Sequence, residues 1–264
     1  MRRLVLLAAL CLGVAACGGS SDAGTGEPAP ATDQPRTGPL TPTDPSRISA
    51  EQAAAIAHLG EVADTAAPTG HHHGGHSDAG PYPTVVLPPQ DQAGLDRQWA
   101  AARRAATNLD TPEEAAEAGY VRAAAQGPGV GVHWVKWSLV DAPFDPEQPA
   151  MLLFDERGGA AELAGFSYWL LSDDEPAGFA GANDHWHQHT GLCIVNGWVD
   201  REMSAGPEAC AGTYLGGADL WMLHAWVVEG YENRWGDFAV MNPRLCPSVQ
   251  QTPELARCPD DFTL

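Results

Sequence analysis

The tryptophans and the prolines of this chain lie in different regions, and this contrast limits where a hydrophobic core can form. All nine tryptophans lie between Trp99 and Trp235, whereas residues 18–89 contain 11 of the 22 prolines and a single aromatic residue, Tyr82. A segment with so few aromatic side chains buries too little apolar surface to offset the entropy lost on ordering it. We therefore expect a disordered tether up to residue 89 and one folded domain over residues 90–264.

The N-terminus has the features of a bacterial lipoprotein signal peptide over residues 1–16. Two arginines follow the initiator methionine, and the apolar run after them is too short to span a bilayer as a mature helix. The sequence Val14-Ala15-Ala16-Cys17 resembles a lipobox, in which cleavage leaves an N-terminal cysteine that is then acylated. The flexible Gly18-Gly19-Ser20-Ser21 segment opens the tether of residues 17–89. The alternative is an ordinary secretory signal in which Cys17 has no special role.

This N-terminus predicts a protein on the extracytoplasmic side of the cell membrane, attached through lipid on Cys17. Several acyl chains on one residue, palmitate among them, hold a protein stably on a bilayer, whereas a single chain does not. The chain has 14 Lys and Arg residues against 34 Asp and Glu residues. This acidic balance argues against nucleic acid and anionic lipid headgroups as partners, and it also serves solubility.

The order of the sequence patterns predicts an α+β domain with two N-terminal helices followed by a mainly antiparallel sheet of about five strands. The first helix covers about residues 92–108, and the second begins at Thr111, with Pro112 at the first helical position, and stops at Gly119. Strands are predicted near residues 131–139, 150–155, 162–171, 185–195 and 220–228. Their connections are too short for crossover helices, which favours antiparallel pairing.

The tether contains two local motifs. Ser49-Ala50-Glu51-Gln52 has the pattern of a capping box that opens a short alanine-rich helix, which ends at about residue 62. Further along, four histidines lie in the tract His71-His72-His73-Gly74-Gly75-His76. Short histidine-rich tracts can bind transition metals loosely, so the tract is either a metal-collecting arm or a chance low-complexity run.

Four cysteines remain in the mature domain, namely Cys193, Cys210, Cys246 and Cys258. An even number of cysteines in an exported protein predicts two disulfides, for which three pairings exist. We favour Cys193–Cys210 and Cys246–Cys258, because each pair closes a short loop. The chain has no C-x-x-C motif, so neither a zinc site of thiolates nor a thioredoxin-type redox pair is indicated.

Three histidines, His185, His187 and His189, occupy alternate positions in the predicted strand at 185–195. Side chains of a strand alternate between its two faces, so these three would point the same way. Imidazole suits zinc, copper, nickel and iron, and three histidines with an open position form a known type of catalytic zinc site. The pattern therefore predicts a transition-metal site, and the alternative is a polar strand face whose histidines contact water or backbone.

His133 and His224 lie in two other predicted strands, each on a face that it shares with apolar residues. A neutral histidine on an apolar face needs a hydrogen-bond partner, and taken alone each of the two is more often a structural core residue. If the three strands share one sheet, His133 and His224 can complete a metal site with His185 and His187. His189 is then a reserve ligand.

Residues 112–247 carry a set of motifs in a fixed order, namely Gly129-Val130-Gly131-Val132-His133-Trp134, Phe144-Asp145-Pro146, Leu152-Leu153-Phe154, Leu223-His224-Ala225-Trp226, Gly236-Asp237-Phe238-Ala239 and Asn242-Pro243. With these motifs the chain resembles an uncharacterised family of exported bacterial proteins. The resemblance implies a common fold and an exported location, and it implies no activity. Positions equivalent to His133 and His224 belong to the family pattern, whereas the run from His185 to His189 occurs in only part of the family.

These observations favour a membrane-anchored lipoprotein that binds or handles copper or zinc at a histidine site. Met222, two residues before His224, would favour copper because thioether is a soft ligand. One alternative is a metal-dependent enzyme in which water fills an open coordination position. Another is a ligand-binding or scaffold domain in which the tryptophans line a groove and the histidines are structural.

Overall fold

A computed structural model describes residues 48–65, 81–82, 84–189, 191–202, 206–216 and 220–246. Several features predicted from the sequence lie outside these residues, namely the signal peptide at 1–16, Cys17, the histidine tract at 71–76 and Cys258. Among the described residues, no helix combines the length and the apolar composition that crossing a membrane requires.

Three α-helices occur in the described part of the chain. Helix α1 covers Ala50–Thr65, α2 covers Pro89–Ala106 and α3 covers Pro112–Glu117. Helices α2 and α3 both have proline in the first turn, where its missing N–H group costs nothing. A reciprocal capping box between Thr111 and Glu114 closes the N-terminus of α3.

Helix α1 lies within the predicted tether, yet it packs on the domain. Ile56 and Leu59 are buried in a hydrophobic cluster together with residues of the strands described below. The Ser49 Oγ accepts a hydrogen bond from the Gln52 N–H at 3.2 Å, whereas the Gln52 side chain donates to the Gly119 carbonyl at 2.9 Å instead of closing the capping box. Part of the core therefore comes from α1, which precedes the domain boundary predicted near residue 90.

In the part of the chain that the structure describes, nine strands form two sheets, which are antiparallel throughout, as predicted. The nine strands are β1 Val121–Arg122, β2 Val132–Val135, β3 Met151–Asp155, β4 Glu162–Leu171, β5 Trp186–Gln188, β6 Gly191–Val195, β7 Trp198–Glu202, β8 Thr213–Gly216 and β9 Leu220–Ala225. The larger sheet has the order β1-β2-β3-β4-β9-β5, and the smaller has the order β7-β6-β8. The fold is thus α+β, with strand β9 inserted between β4 and β5.

Two of the predicted strands differ from the observed ones. The segment predicted as one strand at 185–195 divides into β5 and β6, which belong to different sheets. Gly191 lies at the division with a φ of 136°, a conformation that is strained for any residue with a side chain. The segment predicted as a strand at 131–139 ends at Val135, and Trp137–Leu139 forms a 3₁₀ turn.

The two faces of the six-stranded sheet pack against different partners. One face carries Leu152, Phe166 and Ala225, which share a buried cluster with Ala102 and Ala106 of α2. The opposite face carries Val135, Met151, Trp169 and Met222, which share a second cluster with α1 and with residues of the smaller sheet. We call this second face the inner face, because it lies between the two sheets.

Cys193 and Cys210 form the predicted disulfide, which joins β6 to the segment before β8. A cross-link of this separation, 17 residues, stabilises a fold by about 3 kcal/mol in the chain-entropy model. Cys246 also takes part in a disulfide. Its predicted partner, Cys258, lies outside the described residues.

Candidate metal centre

Histidines from three strands of the larger sheet point to its inner face. In antiparallel pairs, directly opposite residues share a face. His224 of β9 is opposite Ser167, and His187 of β5 is opposite Met222, two residues from His224. His133 of β2 is opposite Leu153, which in turn is opposite Gly165, two residues from Ser167. The register therefore brings His133, His187 and His224 to one side of the sheet.

The imidazole rings on this face form a continuous series. The ring centroids of His133 and His224 are 6.0 Å apart, and those of His187 and His224 are 5.1 Å apart. His189 continues the series, with its ring centroid 5.3 Å from that of His187. Two imidazoles on one tetrahedral zinc ion, with Zn–N distances of about 2.1 Å, have centroids roughly 5 Å apart. The His187–His224 spacing of 5.1 Å matches this value, and the His133–His224 spacing of 6.0 Å is longer.

A backbone carbonyl orients the His224 ring. His224 is 1% exposed, and its Nδ1 lies 2.6 Å from the Val240 carbonyl oxygen. A carbonyl can only accept a hydrogen bond, so Nδ1 carries the hydrogen and Nε2 carries the lone pair. Metal-binding histidines commonly have such a partner, which sets the tautomer and the direction of the other nitrogen.

The loop that supplies this carbonyl is held by two buried asparagines. The Asn233 side chain donates to the Met241 carbonyl at 2.7 Å and accepts a hydrogen bond from the Trp235 N–H at 2.9 Å. The Asn242 N–H donates to the Gly129 carbonyl at 2.7 Å, next to β2. These contacts on both sides of Val240 fix its carbonyl against His224.

His189 lies where the two sheets meet. Its N–H donates to the Leu220 carbonyl at 3.3 Å, and its Nδ1 is 3.3 Å from the Glu202 carboxylate of β7. The His189 side chain is 8% exposed. The pair therefore bridges β7 of the smaller sheet to the end of β5, beside the histidine series.

His185 has a different environment from the one predicted. It precedes β5, and its ring stacks on Tyr82, with centroids 3.9 Å apart and an interplanar angle of 27°. The ring contacts that join β2, β9 and β5 run through His187 and His224. On the inner face the ring of His187 contacts that of His224, and the pairing of His185 with His187 at a metal stays a prediction.

Ser167 lies on the inner face between His133 and His224, because β3 and β4 separate β2 from β9. Its side chain is fully buried. Among the described residues, the Ser167 Oγ has no hydrogen-bond partner. A buried hydroxyl without a hydrogen-bond partner lowers the free energy of unfolding by about 1–3 kcal/mol.

Sequence patterns do not mark Ser167, Glu202, Asn233 or Val240 as parts of a site. Ser167 lies in an apolar strand, and nothing in its neighbours signals that it faces a histidine of a strand more than 50 residues away. Val240 acts through its backbone, which side-chain patterns do not report. The signal available in the sequence was the two-residue spacing of Met222 and His224 within one strand. This spacing correctly placed both side chains on one face of the sheet.

A carboxyl group also lies close to this region. Asp184 precedes His185, and burial, followed by the negative charge of Glu175, raises the pKa of the Asp184 carboxyl to about 6.

A separate cleft of about 750 Å³ lies between α2 and residues 227–232. The acidic residues Asp110, Glu162, Glu229 and Glu232 line it together with Arg103, and it contains no histidine.

The histidine series provides nitrogen ligands without a finished coordination sphere. Within the ranges that the structure describes, no group of three or more His, Cys, Asp or Glu side chains is already arranged around a metal position. Comparison with known proteins adds no assignment, since no family model, curated protein or solved structure matches the chain.

Proposed function

We propose that this protein binds a transition-metal ion, zinc or copper, through His133, His187 and His224. The observation that carries the proposal is the convergence of these histidines from three strands onto one face, with ring centroids 5.1 and 6.0 Å apart. Neutral imidazole nitrogens at this spacing suit zinc and copper, and they suit calcium and magnesium poorly.

Two further features of the site support a metal rather than a purely structural role. The Val240 carbonyl holds His224 in the tautomer whose Nε2 can ligate, and metal-binding histidines usually have such a hydrogen-bond partner at their other nitrogen. Met222 lies beside His187 on the same face and is 4% exposed. A thioether at this position adds a soft ligand for copper(I), whereas zinc would use the imidazoles alone.

The test is metal analysis of the full chain, purified without an affinity tag and titrated with zinc and copper against a competing chelator. We expect one tightly bound ion per chain. Replacing His187 and His224 together by alanine should abolish this stoichiometric binding. His58→Ala is the matched control, because His58 is an exposed histidine on α1 and should not affect binding.

The histidine tract at 71–76 needs its own control. A variant in which the four histidines of the tract are replaced by serine should lose only weak, additional metal equivalents. A wild-type chain that binds neither zinc nor copper would leave the inner-face histidines with a structural role and would end the proposal. Unchanged tight binding in the His187/His224 double variant would move the site elsewhere.

We also propose that the protein is anchored by lipid at Cys17 on the extracytoplasmic side of the cell membrane. The lipobox pattern and the flexible segment after it are the basis of this proposal. A disulfide between Cys193 and Cys210 fits such a location, because structural disulfides persist in oxidising compartments. The site would then meet metal ions outside the cytoplasm.

A further inference from the structure

Ser167 is a buried polar residue outside the proposed set of metal ligands. It is directly opposite His224 in the β4–β9 pair and directly opposite Met151 in the β3–β4 pair, so its hydroxyl lies on the inner face. Its exposure is 0%, and it has no hydrogen-bond partner among the described residues.

The position of Ser167 relative to the histidines restricts what its partner can be. His133 and His224 reach toward each other across β3 and β4, and Ser167 lies on the inner face of β4 beneath that gap. Its Oγ makes no hydrogen bond to the His224 ring nitrogens. When two polar groups are too far apart for a direct hydrogen bond, a small bound molecule such as water commonly bridges them.

Other buried donors in the protein lie in different surroundings. The Nε1 atoms of Trp137 and Trp169 also have no partner among the described residues, but the two indoles pack on each other, with ring centroids 5.9 Å apart, within the apolar cluster. Ser167 differs because the residue opposite it is a histidine of the proposed metal set. Its hydroxyl is therefore placed to contact a ligand of the metal.

We propose that the metal held by His133, His187 and His224 keeps one exchangeable coordination position, and that Ser167 hydrogen-bonds the water or small anion bound there. This inference rests on the proposed function. Three protein nitrogens and one water make the open coordination set of catalytic zinc sites, whereas storage and structural sites are closed by protein ligands. The site would thus bind or polarise a small oxygen-containing substrate.

The experiment uses the full chain loaded with Co²⁺, whose visible absorption reports the coordination sphere, with azide as the probe anion. Azide should change the Co²⁺ spectrum of the wild-type protein in a saturable manner. Ser167→Ala should keep one Co²⁺ per chain and weaken azide binding about tenfold, because one hydrogen bond to a charged ligand is lost. Ser172→Ala, which removes the hydroxyl just after β4, should leave azide binding unchanged.

The possible outcomes separate this inference from the proposed function. Co²⁺ binding without any response to azide would show a closed site and would overturn the open position while metal binding stands. A Ser167→Ala variant that binds azide as tightly as wild type would remove Ser167 from the site. A wild-type chain that takes up no Co²⁺, zinc or copper would overturn both proposals.

Discussion

His224 donates its Nδ1 hydrogen to the backbone carbonyl of Val240 across 2.6 Å, and this contact links the β9 strand to the loop that follows it. The loop is held by Asn233, whose side chain bonds the Met241 carbonyl and the Trp235 N–H. The orientation of the central histidine therefore depends on an asparagine that does not touch it.

Asn233→Ala should weaken metal binding and lower stability together. Loss of two buried hydrogen bonds should cost about 1–3 kcal/mol in the free energy of unfolding. Without the Asn233 side chain, the Val240 carbonyl should no longer hold the His224 ring in place. Metal affinity should then fall about tenfold, which is typical when a residue that orients a metal ligand is removed. Urea denaturation of the metal-free protein measures the first effect, and chelator competition measures the second.

Asn108→Ala is the control for this variant, because Asn108 is exposed and its side chain donates one long hydrogen bond, to the Arg104 carbonyl at 3.4 Å. It should change neither quantity measurably. An Asn233→Ala protein that loses stability while its metal affinity is unchanged would separate the loop from the site and contradict the positioning role.

The docking of helix α1 makes a second prediction. Leu59 is 3% exposed and lies in the cluster between the two sheets, so Leu59→Ala should destabilise the protein by about 2–5 kcal/mol. Glu61→Ala, an exposed change two residues further along the same helix, should have little effect. A Leu59→Ala variant with the urea midpoint of wild type would show that α1 contributes no stability and would restore the domain boundary near residue 90.

Much of the site could be predicted from local patterns. In a strand, residues two apart share a face, so His187 could be assigned to the same side as its alternating neighbours, and His224 to the same side as Met222. The Cys193–Cys210 pair also followed from local reasoning, because a short loop favours pairing of its ends. Each of these predictions depends on residues that are close along the chain.

The rest depends on contacts between distant segments, which local patterns do not contain. The insertion of β9 between β4 and β5 decides that Ser167 faces His224 and that His187 faces Met222. Helix α1 was not expected to dock, because its sequence is rich in alanine and has few large apolar residues to mark a buried face. Only the packed structure shows that two large side chains, Ile56 and Leu59, place α1 in the hydrophobic cluster.

A third prediction concerns pH and Asp237. Burial raises the pKa of the Asp237 carboxyl above its ordinary value of 3.8, although Arg103 partly opposes this change. The folded protein therefore holds this proton more tightly than the unfolded chain does. The resulting stability is complete below the ordinary pKa and is lost as pH rises through the raised pKa.

Asp237→Asn should therefore be more stable than wild type at neutral pH, since the amide stays uncharged at this partly desolvated position. The difference should shrink as pH falls toward the ordinary carboxyl pKa, because the wild-type carboxyl then takes up a proton in the folded state. Thermal unfolding at several pH values measures it. Asp173→Asn, an exposed change, is the control, and an Asp237→Asn variant less stable than wild type at pH 7 would mean that the charge is needed.

The last prediction concerns the anchor at Cys17. Cys17→Ala removes the thiol that would be acylated, so the precursor should remain unprocessed or the protein should leave the membrane fraction. Cell fractionation and labelling with a radioactive or clickable fatty acid measure both effects. Cys11→Ala, a change within the apolar run of the signal, is the matched control and should be lipidated normally. A Cys17→Ala protein that is processed, labelled and membrane-bound like the parent would contradict the lipobox, because no other cysteine follows the cleavage site closely enough to replace it.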